Sequence, residues 1–245
     1  MSITTASYKI TWEKLPDDFP LPDEPVDNID QPLLAAALSE SLEQAGRLRE
    51  DVLIGSNYGV CATLDSKIVV KAPDWMYVPR ISVSRQEVRR SYTPQLQGEV
   101  PAIVMEFLSE TDSEAVATGG ASGGEYSIKP TYPPGKWFFY EQVLQVLQYV
   151  IFEPQAGLLE VYQLNDSGRY DLQQPNANNH YKIEALNLFL AVWQGTKGNR
   201  TGYWLRWWDE NGQMLPWGVE SVEQERQRAE ALAAQLRAAG IEPES

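Results

Sequence analysis

The chain has 245 residues and a formal net charge of −14 at pH 7, a length that suits one large domain, with or without appendages, and a sizeable core. The acidic balance argues against a general nucleic-acid coat protein, because phosphate binding relies on Lys and Arg. No long apolar run occurs, so we expect no membrane span. The single Cys61 and single His180 exclude an intramolecular disulfide and a Cys/His zinc cluster, and no secretory signal is evident. These features favour a cytoplasmic protein.

The first part of the chain divides into an extended arm and a helix. Residues 1–29 are rich in Pro and acidic residues and predict an arm on the surface. Asp30 precedes Pro32 at a helix start, and an apolar stripe at helical spacing runs from there to Gly46. The stripe consists of Leu33, Leu34, Ala37, Leu38, Leu42 and Ala45.

Short β-rich runs follow, and two of them carry a carboxylate. We expect strands over 51–56, 59–64 and 67–71. Asp74 and Glu106 then end two strand-like runs, 67–78 and 100–109. A carboxylate is costly to bury without a counter-charge or a cation, so two on neighbouring strands suggest a Mg²⁺-type site. From spacing alone, acids that cap their strands and face water explain the pattern equally well.

The charge balance reverses around Asp74. A local basic strip is what a metal-dependent phosphodiesterase needs to hold backbone phosphates, although an ordinary solvated loop gives the same pattern. The basic residues are Lys67, Lys71, Arg80, Arg85, Arg89 and Arg90.

The second half of the chain predicts a loop, a helix, several strands and a final helix. Residues 112–135 are rich in Gly and Pro and form either a gating loop or a surface insertion. An amphipathic helix is expected over 136–147, with Phe139, Val143, Leu144 and Leu147 facing inward. The strands expected downstream cover 148–153, 158–164, 169–172, 203–208 and 214–217. A solvent-exposed helix over 221–239 has too few heptads to require a homodimer, although it is compatible with one.

Two segments resemble the core motifs of a known bacterial family. Ala-Pro-Asp-Trp-Met-Tyr-Val at 72–78 and Val-Met-Glu-Phe-Leu-Ser-Glu-Thr at 104–111 resemble those of the Uma family of restriction endonuclease domain proteins. This family is a branch of the restriction-endonuclease-like PD-(D/E)xK superfamily. The stretches 135–140 and 148–154 are similar to the family's helix and closing strand.

The resemblance implies a fold and a division of the chain. The expected α/β fold is a restriction-endonuclease-like core, with a central mixed β-sheet flanked by helices and extra β-hairpins. This domain would cover 30–220, after the extended N-terminal arm of 1–29 and before a C-terminal helix and tail of 221–245.

The resemblance also implies a site. Asp74 and Glu106 would bind one Mg²⁺ or Mn²⁺, with the Phe107 carbonyl as a third ligand. An acid on the first helix could assist, and the candidates are Asp30, Glu40 and Glu43.

The superfamily also places a lysine two residues after the second acid, where this chain has Leu108. Lys136 matches the family's helical lysine and is the best candidate to orient the attacking water. A lysine at a helix end can instead lie on the surface with its ammonium in water. Weaker substitutes are Lys71 and Lys129.

Three functions remain open at this point. The resemblance favours a metal-dependent DNA endonuclease with catalytic residues Asp74, Glu106 and Lys136. Leu108 and the acidic charge favour instead a catalytically degenerate nuclease fold that acts as a binding or scaffold protein. The tryptophans of 204–217 suggest a β-rich ligand-binding module, because strand alternation leaves at least one of Trp204, Trp207 and Trp208 exposed.

Overall fold

The structure is a computed structural model, and it describes residues 8–21, 29–108 and 134–238. In chain order the strands are β1 (Ile10–Thr11), β2 (Leu53–Gly55), β3 (Val60–Leu64), β4 (Lys67–Lys71), β5 (Trp75–Val78), β6 (Ile103–Phe107), β7 (Gln148–Glu153), β8 (Leu158–Leu164), β9 (Tyr170–Leu172), β10 (Tyr181–Ile183), β11 (Leu188–Lys197) and β12 (Arg200–Trp208). The helices within these residues are α1 (Gln31–Gln44), α2 (Lys136–Phe138, continued by a π-helical turn over Phe139–Leu144) and α3 (Gly218–Ala238). A 3₁₀ turn covers Glu184–Leu186.

The centre of the fold is a six-stranded mixed sheet in the order β2-β5-β6-β7-β8-β9. Strands β6 and β7 run parallel, and the other neighbours run antiparallel. Strands β1-β3-β4 and β10-β11-β12 form two three-stranded sheets. The predicted α/β fold with a mixed central sheet, flanking helices and extra hairpins is therefore confirmed.

Both faces of the central strands are buried, because side chains alternate along a strand and each face meets its own core. On β5, Trp75 and Tyr77 pack in one core with most of the apolar stripe of α1, although Leu33 of that stripe is 42% exposed. Met76 and Val78 pack in a second core with the residues of α2. The central sheet therefore lies between α1 and α2, and a side chain on β6 reaches one helix or the other according to its place in the alternation.

The run 67–78 contains two strands that belong to different sheets. β4 pairs with β3 in a small sheet, and β5 pairs with β2 and β6 in the central one. The chain leaves one sheet and enters the other through residues 72–74, where the Pro73 carbonyl accepts a hydrogen bond from the Asn57 amide. Asp74 thus lies immediately before β5, at the end of the central sheet.

Several sequence predictions need correction. The helix predicted over 136–147 ends at Leu144, and Gln145 adopts a left-handed conformation with φ 56°. Leu147, expected to face inward, is 41% exposed because the chain has already left the helix. The antiparallel pairing of β11 with β12 around Gly198, from Phe189–Trp208 to Lys197–Arg200, was not predicted.

The tryptophans of 204–217 are mostly core residues, and the predicted exposure of at least one of Trp204, Trp207 and Trp208 holds only in part, for Trp208. Trp204, Trp207 and Trp217 are buried, and their indole N–H groups donate to the carbonyls of Gly195, Leu38 and Ala37. Only Trp208 of this set is half-exposed, and its ring lies 4.5 Å from that of His180. Because α1 and the residues after β12 cover the strand on both faces, alternation did not expose Trp204 or Trp207.

The remaining expectations fall partly outside the described residues. The loop predicted over 112–135, with Lys129, lies outside them except for its last two positions. Of the predicted arm, residues 8–21 add β1 to the edge of β3 and bury Leu15. The domain boundaries after residues 29 and 220 stay predictions. α3 buries none of its side chains, and no helix of the described part of the chain is long and apolar enough to cross a membrane.

Candidate active site

The two carboxylates predicted to share a site face each other across two neighbouring strands. β5 and β6 are antiparallel, with Trp75 paired to Met105, and the next pair in this register is Asp74 with Glu106. The Phe107 amide donates a hydrogen bond of 2.6 Å to Asp74 Oδ2. Asp74 is 5% exposed and Glu106 is 0% exposed. The structure therefore brings both acids together at the buried end of the sheet.

Helix α2 supplies two partners for Glu106. Lys136 Nζ lies 2.8 Å from Glu106 Oε2, and the Tyr140 hydroxyl donates a hydrogen bond of 2.9 Å to Oε1. The Lys136 side chain is only 11% exposed, so it is not a surface lysine with its ammonium in water. Tyr140 follows Lys136 by four positions in the sequence and is fully buried, so both side chains reach the carboxylate from one side of α2.

Burial has the largest effect on the pKa of Glu106. It raises the pKa of this carboxyl to about 8, and the nearby charge of Asp74 acts in the same direction. The ammonium of Lys136 and the hydroxyl of Tyr140 lower that pKa but do not offset the loss of water. Such a strongly shifted carboxyl beside a specific charge partner is typical of functional sites.

The Phe107 carbonyl, predicted to be the third ligand, is also buried in this network. The side-chain amide of Gln31 donates a hydrogen bond of 2.8 Å to the Phe107 oxygen. On the other side of β6, the Leu108 amide donates to the Phe152 carbonyl at 2.8 Å. The end of β6 is thus fixed by Asp74, by α1 and by β7 at once.

Two of the three acids proposed on or beside α1 pair with basic residues of the β11–β12 hairpin. Asp30 pairs with Arg200 at 2.7 Å, and Glu40 pairs with Lys197 at 2.6 Å. Glu43 is exposed near the end of the helix. Gln31, at the start of the same helix, reaches the Phe107 carbonyl.

Sequence reasoning therefore missed Gln31 and Tyr140. The four-residue spacing from Lys136 could have indicated Tyr140, whereas Gln31 carries no comparable signal because an amide at a helix start is ordinary.

The predicted basic strip beside the acids is wrong for Arg80 and Arg85. Arg80 follows the far end of β5, about 20 Å from Asp74 at the usual rise of a strand. Arg85 donates to the carbonyl of Val52, which precedes the strand paired with that far end. The guanidinium of Arg90 instead binds the carbonyls of Pro16 and Phe19 in the N-terminal segment.

The donor set fits a small, hard cation. Asp74, Glu106 and the Phe107 carbonyl offer only oxygen atoms, which are the ligands that Mg²⁺ and Mn²⁺ prefer. A carboxylate has about four lone-pair sites and a carbonyl has two, so Glu106 and the Phe107 carbonyl keep capacity to bind a cation beside the hydrogen bonds from Lys136, Tyr140 and Gln31. No cluster of three or more His, Cys, Asp or Glu residues suited to a metal occurs in residues 8–21, 29–108 or 134–238. Mg²⁺ commonly binds through one or two carboxylates and keeps several waters.

Comparison with known proteins agrees with this geometry. The model of the Uma2 family, described as "Putative restriction endonuclease", matches residues 20–193, more than half of the chain. The match includes α1, Asp74, Glu106 and α2. No curated protein matches the chain. The chain belongs to the Uma2 family.

Proposed function

We propose that the chain is a divalent-cation-dependent endonuclease that hydrolyses phosphodiester bonds in DNA. The observation that carries this proposal is the ammonium of Lys136, 2.8 Å from the buried carboxylate of Glu106. Lys136, on α2, would supply the positive charge that the apolar Leu108, directly after β6, cannot supply. Membership in the Uma2 family supports a nuclease, and the oxygen donors around Glu106 support a cation-dependent one.

The residues that would hold the cation are Asp74, Glu106 and the Phe107 carbonyl, and the proposed ion is one Mg²⁺ or Mn²⁺. When bound, it would supply Lewis-acid polarisation of the phosphodiester and lower the pKa of a nearby water. Hydrogen bonds within the protein hold the side chains of the two proposed acidic ligands in place. The Phe107 amide holds Asp74, and Tyr140 holds Glu106.

Lys136 has the central role in the proposed reaction. Its ammonium donates a hydrogen bond to Glu106 Oε2. An ammonium at this position can orient an attacking water and stabilise the negative charge that develops on the phosphoryl oxygens. Because the side chain is largely removed from solvent, this stabilisation is stronger than it would be in water.

A second candidate function is a binding or scaffold protein built on a degenerate nuclease fold. The specific observation in its favour is that both oxygens of Glu106 already accept hydrogen bonds, from Lys136 and Tyr140, in a cluster with almost no exposure. A satisfied buried ion pair of this kind can be purely structural. In that case the site would bind no cation and cleave no DNA.

The experiment measures Mn²⁺ binding by calorimetry and Mn²⁺-dependent cleavage of plasmid DNA on the same preparations. The variants are Asp74→Asn and Glu106→Gln, which remove charge with little change of shape. Asp166→Asn is the matched control, because Asp166 is exposed in the turn between β8 and β9. The proposal expects both substitutions to abolish binding and cleavage, with the control unchanged. A wild type that neither binds Mn²⁺ nor cleaves DNA would favour the scaffold.

The cytoplasm is the proposed location. Cys61 is a free, buried thiol, and free thiols are usual in a reducing compartment. DNA is the proposed partner, and a homodimer stays a prediction.

A further inference from the structure

We infer that Gln31 is a positioning residue of the candidate active site, which acts through the Phe107 carbonyl and sets the affinity of the site for its cation. This inference rests on the proposed function, because it assumes that a cation binds beside Glu106. It adds a role for the first residue of α1, whose side chain reaches the end of β6.

The geometry at the end of β6 explains why the Phe107 carbonyl needs a partner. In an antiparallel pair, the N–H and C=O of one residue point toward the same neighbouring strand. The Phe107 amide points to Asp74, just before β5, so the Phe107 carbonyl is directed to that side as well. The strand pairing of β5 with β6 covers residues up to Trp75 and Met105. The carbonyl therefore lies beyond the last pair, and Gln31 Nε2 takes the place of a strand donor at 2.8 Å.

Gln31 is held firmly enough to orient this carbonyl. Its side chain is at the start of a helix with Pro32 in the first turn, and the residue is only 8% exposed. The preceding Asp30 pairs with Arg200 at 2.7 Å, which ties the helix start to β12. The donor that touches the proposed ligand is therefore carried by a rigid element, as outer-shell partners of metal ligands are.

The chemistry of an amide fits this role. Gln31 donates one hydrogen bond without adding charge, and it leaves the second lone pair of the carbonyl available to a cation. A carboxylate at the same position would repel the carbonyl oxygen without a cation and would attract a cation when one binds. A thioether would do neither. The sign of the change in affinity therefore depends on whether a cation lies beside this carbonyl.

The experiment measures the dissociation constant of Mn²⁺ by calorimetry for the wild type, Gln31→Glu and Gln31→Met. Gln44→Glu is the matched control, since Gln44 is exposed at the other end of the same helix. We expect Gln31→Met to weaken binding by about 10-fold, the lower range for lost outer-shell partners, and Gln31→Glu to strengthen it. The control should stay within about twofold of wild type, since exposed charges are screened.

Three outcomes decide the inference. Opposite shifts in the two Gln31 variants support it. Unchanged or tighter binding by Gln31→Met overturns it while leaving wild-type binding and the proposed function in place. If the wild type does not bind Mn²⁺, or if Asp74→Asn binds it as tightly as the wild type does, the inference and the proposed function are both overturned. If Gln31→Met does not fold, Gln31→Asn replaces it, because the shorter amide withdraws the donor and keeps its chemistry.

Discussion

Lys136 Nζ and Glu106 Oε2 are 2.8 Å apart, although the two residues lie on different elements of the fold. Leu108 follows β6 directly, and its side chain packs in the core that contains the residues of α2. The ammonium beside Glu106 therefore comes from α2 and not from the residue two positions after this acid.

The raised pKa of Glu106 predicts that the free protein loses stability as the pH rises. Burial raises the pKa of this carboxyl to about 8 in the folded protein, whereas the ordinary value of a Glu in an unfolded chain is about 4.3. The folded state therefore binds more protons between these values, and stability falls with rising pH by up to about 1.4 kcal/mol per pH unit.

Denaturant unfolding of the metal-free protein between pH 5 and pH 9 measures this slope. Glu106→Gln, which has no proton to lose, should show a flatter dependence than wild type. Identical curves for the two proteins would mean that Glu106 does not carry the shift.

Cation binding should depend on pH in the opposite direction. Glu106 must lose its proton to become a ligand, so the affinity for Mn²⁺ should rise with pH up to about 8 and then level off. Calorimetry in two buffers of different ionisation enthalpy would detect the released proton. An affinity that is constant over this range would argue that Glu106 is already ionised in the free protein.

Tyr140→Phe should weaken the site while leaving the core filled. The substitution removes the hydroxyl that donates to Glu106 Oε1 at 2.9 Å, a bond that lowers the pKa of this carboxyl. We expect a loss of about 1–2 kcal/mol in the free energy of unfolding and a further rise in the pKa of Glu106. Denaturant unfolding checks the first, and its pH dependence checks the second. Tyr203→Phe is the control, because Tyr203 is a half-buried tyrosine on β12 and its substitution should leave the pKa of Glu106 unchanged.

The ion pair that joins β12 to α3 should matter for stability. Arg206 is fully buried, with Nη2 2.6 Å from Glu220 Oε2 and 2.8 Å from the Leu215 carbonyl, and its guanidinium lies 3.5 Å from the centre of the Trp217 ring. Arg206→Met should cost about 2–3 kcal/mol, less than a fully buried pair because Glu220 is partly exposed. Thermal unfolding measures the loss. Arg228→Met, on the exposed part of α3, should cost almost nothing.

The sequence predicted the elements whose patterns are local. Apolar spacing identified α1, and β-branched runs identified β5, which Asp74 directly precedes, and β6, which contains Glu106. It also predicted that these strands are neighbours, which the pairing of β5 with β6 bears out.

Features that depend on distant parts of the chain escaped prediction. The strand over 67–71 was predicted, but its place in a different sheet from 75–78 was not, because partners elsewhere in the chain decide the switch at Pro73. The burial of Trp204 and Trp207 depends on elements that cover both faces of β12. Arg80 is close to Asp74 in sequence and far in space, because an extended strand separates them. Gln31 reaches Phe107 only because α1 begins at the end of the central sheet.

The most direct test of the central claim is the rate of Mn²⁺-dependent plasmid cleavage by wild type and by Lys136→Met. Lys14→Met is the control, because Lys14 has a side chain that is 71% exposed. The account predicts a rate at least about 100-fold below wild type for Lys136→Met, measured at a Mn²⁺ concentration that saturates both proteins. The control should cleave normally. Equal cleavage by wild type and Lys136→Met, or none by wild type in the presence of bound Mn²⁺, would contradict it.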